Sequence, residues 1–73
     1  MPGGRPITGR DVHAALLVLG GERGDMAVLR ATIGPDSEFA DYEALARACP
    51  PERIGLTPGA HAAVFGPLFG EFE

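Results

Sequence analysis

Four pairs of helix-breaking residues, Gly20-Gly21, Gly34-Pro35, Pro50-Pro51 and Gly66-Pro67, cut this 73-residue chain into short apolar runs. Proline removes an amide donor and clashes with the turn before it, while glycine costs a helix interior about 1 kcal/mol relative to alanine. No helix can therefore run long. The predicted fold class is mainly α, a small single-domain bundle of three to four short helices. A chain of this size builds one core at most, so most of its 45% hydrophobic content must be buried or be completed by a partner. That requirement leaves room for a homodimer.

Residues 1–7, with two prolines, two glycines and no periodicity, read as an irregular N-terminal arm, and residues 8–73 as a single helical domain with an aromatic C-terminal tail. Thr8 with Asp11 fits a capping box, and Val12, Ala15, Leu16 and Leu19 follow at helical spacing, which predicts a helix over 9–19. Asp25 is placed to cap a second helix whose Met26, Leu29 and Ile33 share a face. The alternative is α+β, with "ALLVL" and "MAVLRATI" paired as a β-hairpin over about residues 14–33 across "GGERGD". A third helix is predicted over 36–49, with Phe39, Tyr42, Leu45, Ala46 and Cys49 in one stripe and Asp36, Glu38, Asp41 and Glu43 mainly on the other side. Ile54 to Leu56 reads as an extended link. Thr57 then caps a last helix with Pro58 at its first position, broken at Gly66-Pro67.

The six basic residues are all arginines, and ten acids outnumber them to give a net charge of −4. This is the wrong sign for neutralising phosphates, so direct nucleic-acid binding is disfavoured, as is an anionic membrane surface. The apolar run at residues 14–19 is too short to span a bilayer and no export signal is visible, which with a single cysteine points to the cytoplasm. The absence of Lys, Asn, Gln and Trp beside abundant Ala and Gly reads as a GC-rich bacterial or phage-like coding bias.

Chemistry-bearing residues are sparse. His13, His61 and Cys49 lack the paired spacing of a structural zinc site, and "DSEFADYE" lacks the sixth-position glycine of a calcium loop, so neither a metal nor a cofactor is implied. A Cys49–His61 dyad comes without an oxyanion-hole signature, and no enzymatic activity is expected. "RGD" at Arg23 to Asp25 is better used as a helix start than as an adhesion tripeptide, and "GGERG" lacks the lysine of a phosphate-binding loop.

Two features favour a binding role. Asp36, Glu38, Asp41 and Glu43, with no base between them, can meet an arginine- or lysine-lined groove that normally receives nucleic acid. Phe72, set between Glu71 and Glu73, is hard to bury and suits an interface anchor, whereas Phe65 and Phe69 suit core closure. The expected function is a non-enzymatic interaction protein: a small acidic inhibitor or adaptor of phage or mobile-element type, of the anti-CRISPR or host-takeover kind. Its partner would be a larger protein or nucleoprotein complex with a basic surface. The alternatives are a helix-turn-helix regulator or antitoxin-like dimer, supported only by Arg5, Arg10, Arg23 and Arg30, and an assembly subunit docking through its aromatic C-terminus.

Overall fold

The computed structural model describes residues 6–20 and 23–70. In chain order these form β1 (Ile7–Thr8), α1 (Gly9–Ala15) running into a π turn (Leu16–Gly20), α2 (Met26–Thr32), β2 (Glu38–Phe39), α3 (Tyr42–Ala48), a 3-10 turn (Pro51–Ile54), α4 (Pro58–Phe65) and a second 3-10 turn (Gly66–Phe69). The mainly α class holds, with four short α-helices among the described residues. Both arms of the alternative hairpin over 14–33 are helical; the antiparallel pairing instead joins Ile7 to Phe39 and Thr8 to Glu38.

Local side-chain caps explain why helix wins at each start. Thr8 accepts from the Asp11 amide at 3.4 Å, and Asp11 Oδ2 accepts from the Thr8 amide at 3.0 Å, so two otherwise orphaned donors are satisfied reciprocally. Asp25 accepts from Val28 N at 3.2 Å and Thr57 from Ala60 N at 3.1 Å, with Pro58 as the first helical residue. Gly24 bends the chain into α2 with φ of 77°, a conformation open to glycine and strained for other residues.

Three boundaries differ from expectation. Ile7 belongs to a strand rather than to an irregular arm, because Phe39 offers it a partner that lies far along the chain. The third helix starts at Tyr42 and not at residue 36, because Asp41 takes the cap, accepting from Ala44 N at 2.8 Å. Of the extended link expected over Ile54 to Leu56, Ile54 instead closes a 3-10 turn (Pro51–Ile54), which Gly55 ends at φ 73°.

One cluster forms the core. Val12 and Leu16 meet Leu29 and Ile33 from α2, Leu45 and Cys49 from α3 and its cap, Ile54, and Val64 and Phe65 from α4. Phe69 and Leu68 pack against this cluster from the C-terminal turn. His13 Nε2 donates to the Ile33 carbonyl at 2.7 Å and thereby ties α1 to the end of α2.

Gly9 is the tightest point. Its amide donates to Ser37 O at 2.7 Å, and a Cβ placed there would overlap the Gly34 carbonyl oxygen. The obstacle is backbone, so no side chain can turn aside to relieve it. Gly9→Ala should destabilise the fold by at least the ~1–3 kcal/mol typical of overpacking, read as a fall in the urea midpoint, whereas Gly59→Ala, with open space around its Cβ, should not.

Candidate functional site

The end of α1 carries the least expected feature. In a continuing α-helix Leu19 would share the core face of Val12, Ala15 and Leu16; the π turn adds a residue to the last turn and rotates Leu19 and Gly20 about the helix axis. Gly20 is consequently buried, and its missing side chain makes this possible, since a Cβ there would meet Leu16 Cδ1 at 2.5 Å. Leu17, Val18 and Leu19 are left 63%, 76% and 57% exposed, so the placement of Leu19 in the core is corrected. Three consecutive large apolar side chains exposed to water make an apolar knob. The sequence held a signal for it, because six successive apolar residues in "AALLVL" cannot all lie on one side of a helix.

The second feature is a buried polar hub at His61, which has no solvent exposure. Its Nε2 faces the Cys49 carbonyl at 2.9 Å, and only an N–H can do so, which fixes the proton on Nε2. Nδ1 is then an acceptor and receives the Tyr42 hydroxyl at 2.5 Å. The ring also meets Tyr42 and Phe65 edge-on, with centroids 5.4 Å and 4.9 Å away. Burial pushes the imidazole pKa below 6.5, against the smaller opposing pull of the Cys49 carbonyl and of Glu52. From the sequence, His61 has no role beyond its exclusion from a zinc site and a catalytic dyad. The four-residue spacing from His61 to Phe65 on one helix face was the available hint.

Cys49 is buried, and burial raises its thiol pKa despite the nearby Arg53. The contact between His61 and Cys49 runs through the backbone carbonyl, so the imidazole spends both nitrogens holding α3 to α4. Among the described residues no group of three or more His, Cys, Asp and Glu could hold a metal ion, and no helix is long and apolar enough to cross a membrane.

The four acidic residues are exposed but do not share a helix face. Asp36 sits in the turn after Gly34, Glu38 in β2, Asp41 at the cap of α3 and Glu43 within it. Glu43 also pairs with Arg47 at 3.6 Å, both side chains about three-quarters exposed, which makes it an ordinary i,i+4 surface pair. Phe72 lies outside the described residues, as does Arg5. The connection from α2 to α3 covers residues 33–41 and includes β2, longer than the three- or four-residue turn of a helix-turn-helix unit.

Two open concavities lie among the described residues. One, of about 230 Å³, lies beside β1 and is lined by Ile7, Phe39, Ala40, Asp41, Leu68 and Phe69 with Pro6 at its edge. The other, of about 320 Å³, lies between Arg23, Gly24, Leu56 and Ala60.

The hub gives two expectations. Tyr42→Phe leaves Nδ1 buried without its donor and should cost about 1–3 kcal/mol in chemical denaturation. Because the folded pKa of His61 lies below 6.5, the folded state binds fewer protons than the unfolded one. Stability should be complete above pH 6.5 and decline as pH falls below it toward the folded value. Urea midpoints at pH 7.5 and pH 5.5 check this, and equal midpoints would contradict it.

Comparison of the chain with protein-family models, curated proteins and solved structures finds no match.

Proposed function

We propose that this chain is a non-enzymatic interaction protein whose docking element is the knob Leu17, Val18 and Leu19. The observation that carries the reading is their exposure as a contiguous run on a chain short of core material. A continued α-helix would have turned Leu19 inward, where a small domain has most use for it. Exposing it instead forfeits burial of roughly the 1.5–3 kcal/mol that a large aliphatic side chain supplies. A partner that covers the knob recovers that term. The non-enzymatic side of the reading is supported by the use of both His61 nitrogens in internal bonds and by the burial of Cys49.

A second reading keeps the carboxylates as the contact surface. Asp36, Glu38, Asp41 and Glu43 all remain exposed within eight residues, which suits an inhibitor of phage or mobile-element type that occupies a basic nucleic-acid channel on a larger complex. The two surfaces respond oppositely to salt: a charge-led interface weakens as salt rises, and an apolar one does not.

Val18→Asp should leave thermal stability within about 0.5 kcal/mol of wild type, because the residue is a surface position, and should abolish partner binding at every salt concentration. Neutralising Asp36, Glu38, Asp41 and Glu43 together should leave knob-led binding intact. Loss of binding only in the neutralised chain, and only at low salt, would replace the first reading with the second.

A further inference from the structure

Tyr42 is the only tyrosine of the chain, and tryptophan is absent. Its hydroxyl donates a short hydrogen bond, 2.5 Å long, to Nδ1 of His61. The lone pair on that nitrogen is fixed, because Nε2 carries the ring hydrogen and gives it to the Cys49 carbonyl at 2.9 Å. The one phenol of the protein is therefore held against a neutral base whose ring is wholly buried, while the phenol itself is half-buried.

This geometry bears on electron transfer. A phenol is a weak acid, with a pKa of about 10, but one that has lost an electron is a far stronger acid than imidazolium. The electron consequently leaves most readily where a base stands ready for the proton. A tyrosine without such a base must first ionise, and phenolate is scarce at neutral pH. At Tyr42 the proton has only one hydrogen bond to cross.

The groups around the ring permit the transfer. Burial disfavours the charged imidazole, and the carboxylate of Glu52 on the 3-10 turn after α3 favours it. Because burial prevails and the pKa lies below 6.5, the ring is neutral and able to accept a proton at pH 7 and above. The Cys49 thiol, raised by its own burial with Arg53 opposing, stays largely protonated over the same range.

We propose that Tyr42 and His61 form a one-electron redox site, in which Tyr42 reduces a one-electron oxidant, such as a peroxyl radical or a high-valent metal complex, while its phenolic proton moves to His61 Nδ1. The O–H bond of Tyr42 breaks and an N–H bond forms on Nδ1. The products are a neutral tyrosyl radical, an imidazolium that keeps its Nε2–H on the Cys49 carbonyl, and the oxidant reduced by one electron. A one-electron donor reverses the step by the same path. The oxidant need not touch the hydroxyl, since an electron crosses a gap that a bonding partner cannot, so the half-burial of Tyr42 is no obstacle. The site is independent of the docking role of the knob.

Rapid mixing of the full chain with hexachloroiridate(IV) at pH 7, 8 and 9 tests it, following the optical absorption of the tyrosyl radical. Tyr42→Phe, which has no phenol, supplies the background from Cys49 and the two methionines. Blocked free tyrosine should react roughly 100-fold faster at pH 9 than at pH 7, following its phenolate fraction. Folded wild type should form the radical at a rate nearly constant over the same range, and more slowly in heavy water. His61→Gln offers an amide N–H to the Cys49 carbonyl and an amide oxygen to Tyr42 but accepts no proton, so it should regain the steep dependence of free tyrosine. Where thermal melting shows that this variant does not fold, wild type unfolded in urea takes its place and should be equally steep.

A folded wild type that follows the slope of free tyrosine overturns the proposal. So does a rate that is flat with pH in wild type and equally flat once His61 is replaced or the chain unfolded, because the proton then goes elsewhere. A flat wild type beside a steep base-free chain sustains it.

Discussion

The arrangement of α3 and α4 depends on the imidazole of His61. Apolar side chains from several short helices can be packed in more than one way, because burial is rewarded by area and not by direction. A buried ring with one donor and one acceptor is directional. With Nε2–H on the Cys49 carbonyl and Nδ1 under the Tyr42 hydroxyl, it grips the first turn and the C-terminal cap of α3 at once. Sliding α4 by one residue would carry the ring away from both and strand two buried polar groups. The core around it, Leu45, Ile54 and Phe65, supplies most of the burial, and the histidine selects one packing from those the burial would allow.

At the end of α1, by contrast, the π turn works against burial. Gly20 replaces Leu19 at the surface of Leu16, so a residue with no side chain fills a place that leucine would otherwise take. The core closes over Leu16 nonetheless, because Gly24 and Leu56 reach the same side chain or its neighbours from the far wall. The domain thus keeps a complete interior while three large side chains stand outside it.

What could be read from the residues alone was local. Thr8 with Asp11, Asp25, and Thr57 with Pro58 are caps whose partners lie within three residues, and all three helices start where these signals put them. The third helix was misplaced because two aspartates, Asp36 and Asp41, both precede helix-forming residues, and only the pairing of Glu38 and Phe39 with β1 decides between them. That pairing is invisible in any short window. The inward turn of His61 and the extra residue at Leu16–Gly20 depend likewise on what lies across the core, and the acidic face drawn over 36–43 dissolved once its helix shortened.

The two-residue strands have a kinetic consequence. Bringing Ile7 to Phe39 closes a loop that contains all of α1 and α2, an entropic cost on the order of 3 kcal/mol before any constant term. Two residue pairs of ladder return too little to hold such a loop shut by themselves. The sheet is therefore expected to fasten after the helices dock, helped by the amides of Gly9 and Arg10, which donate to the carbonyls of Ser37 and Pro35 beside it.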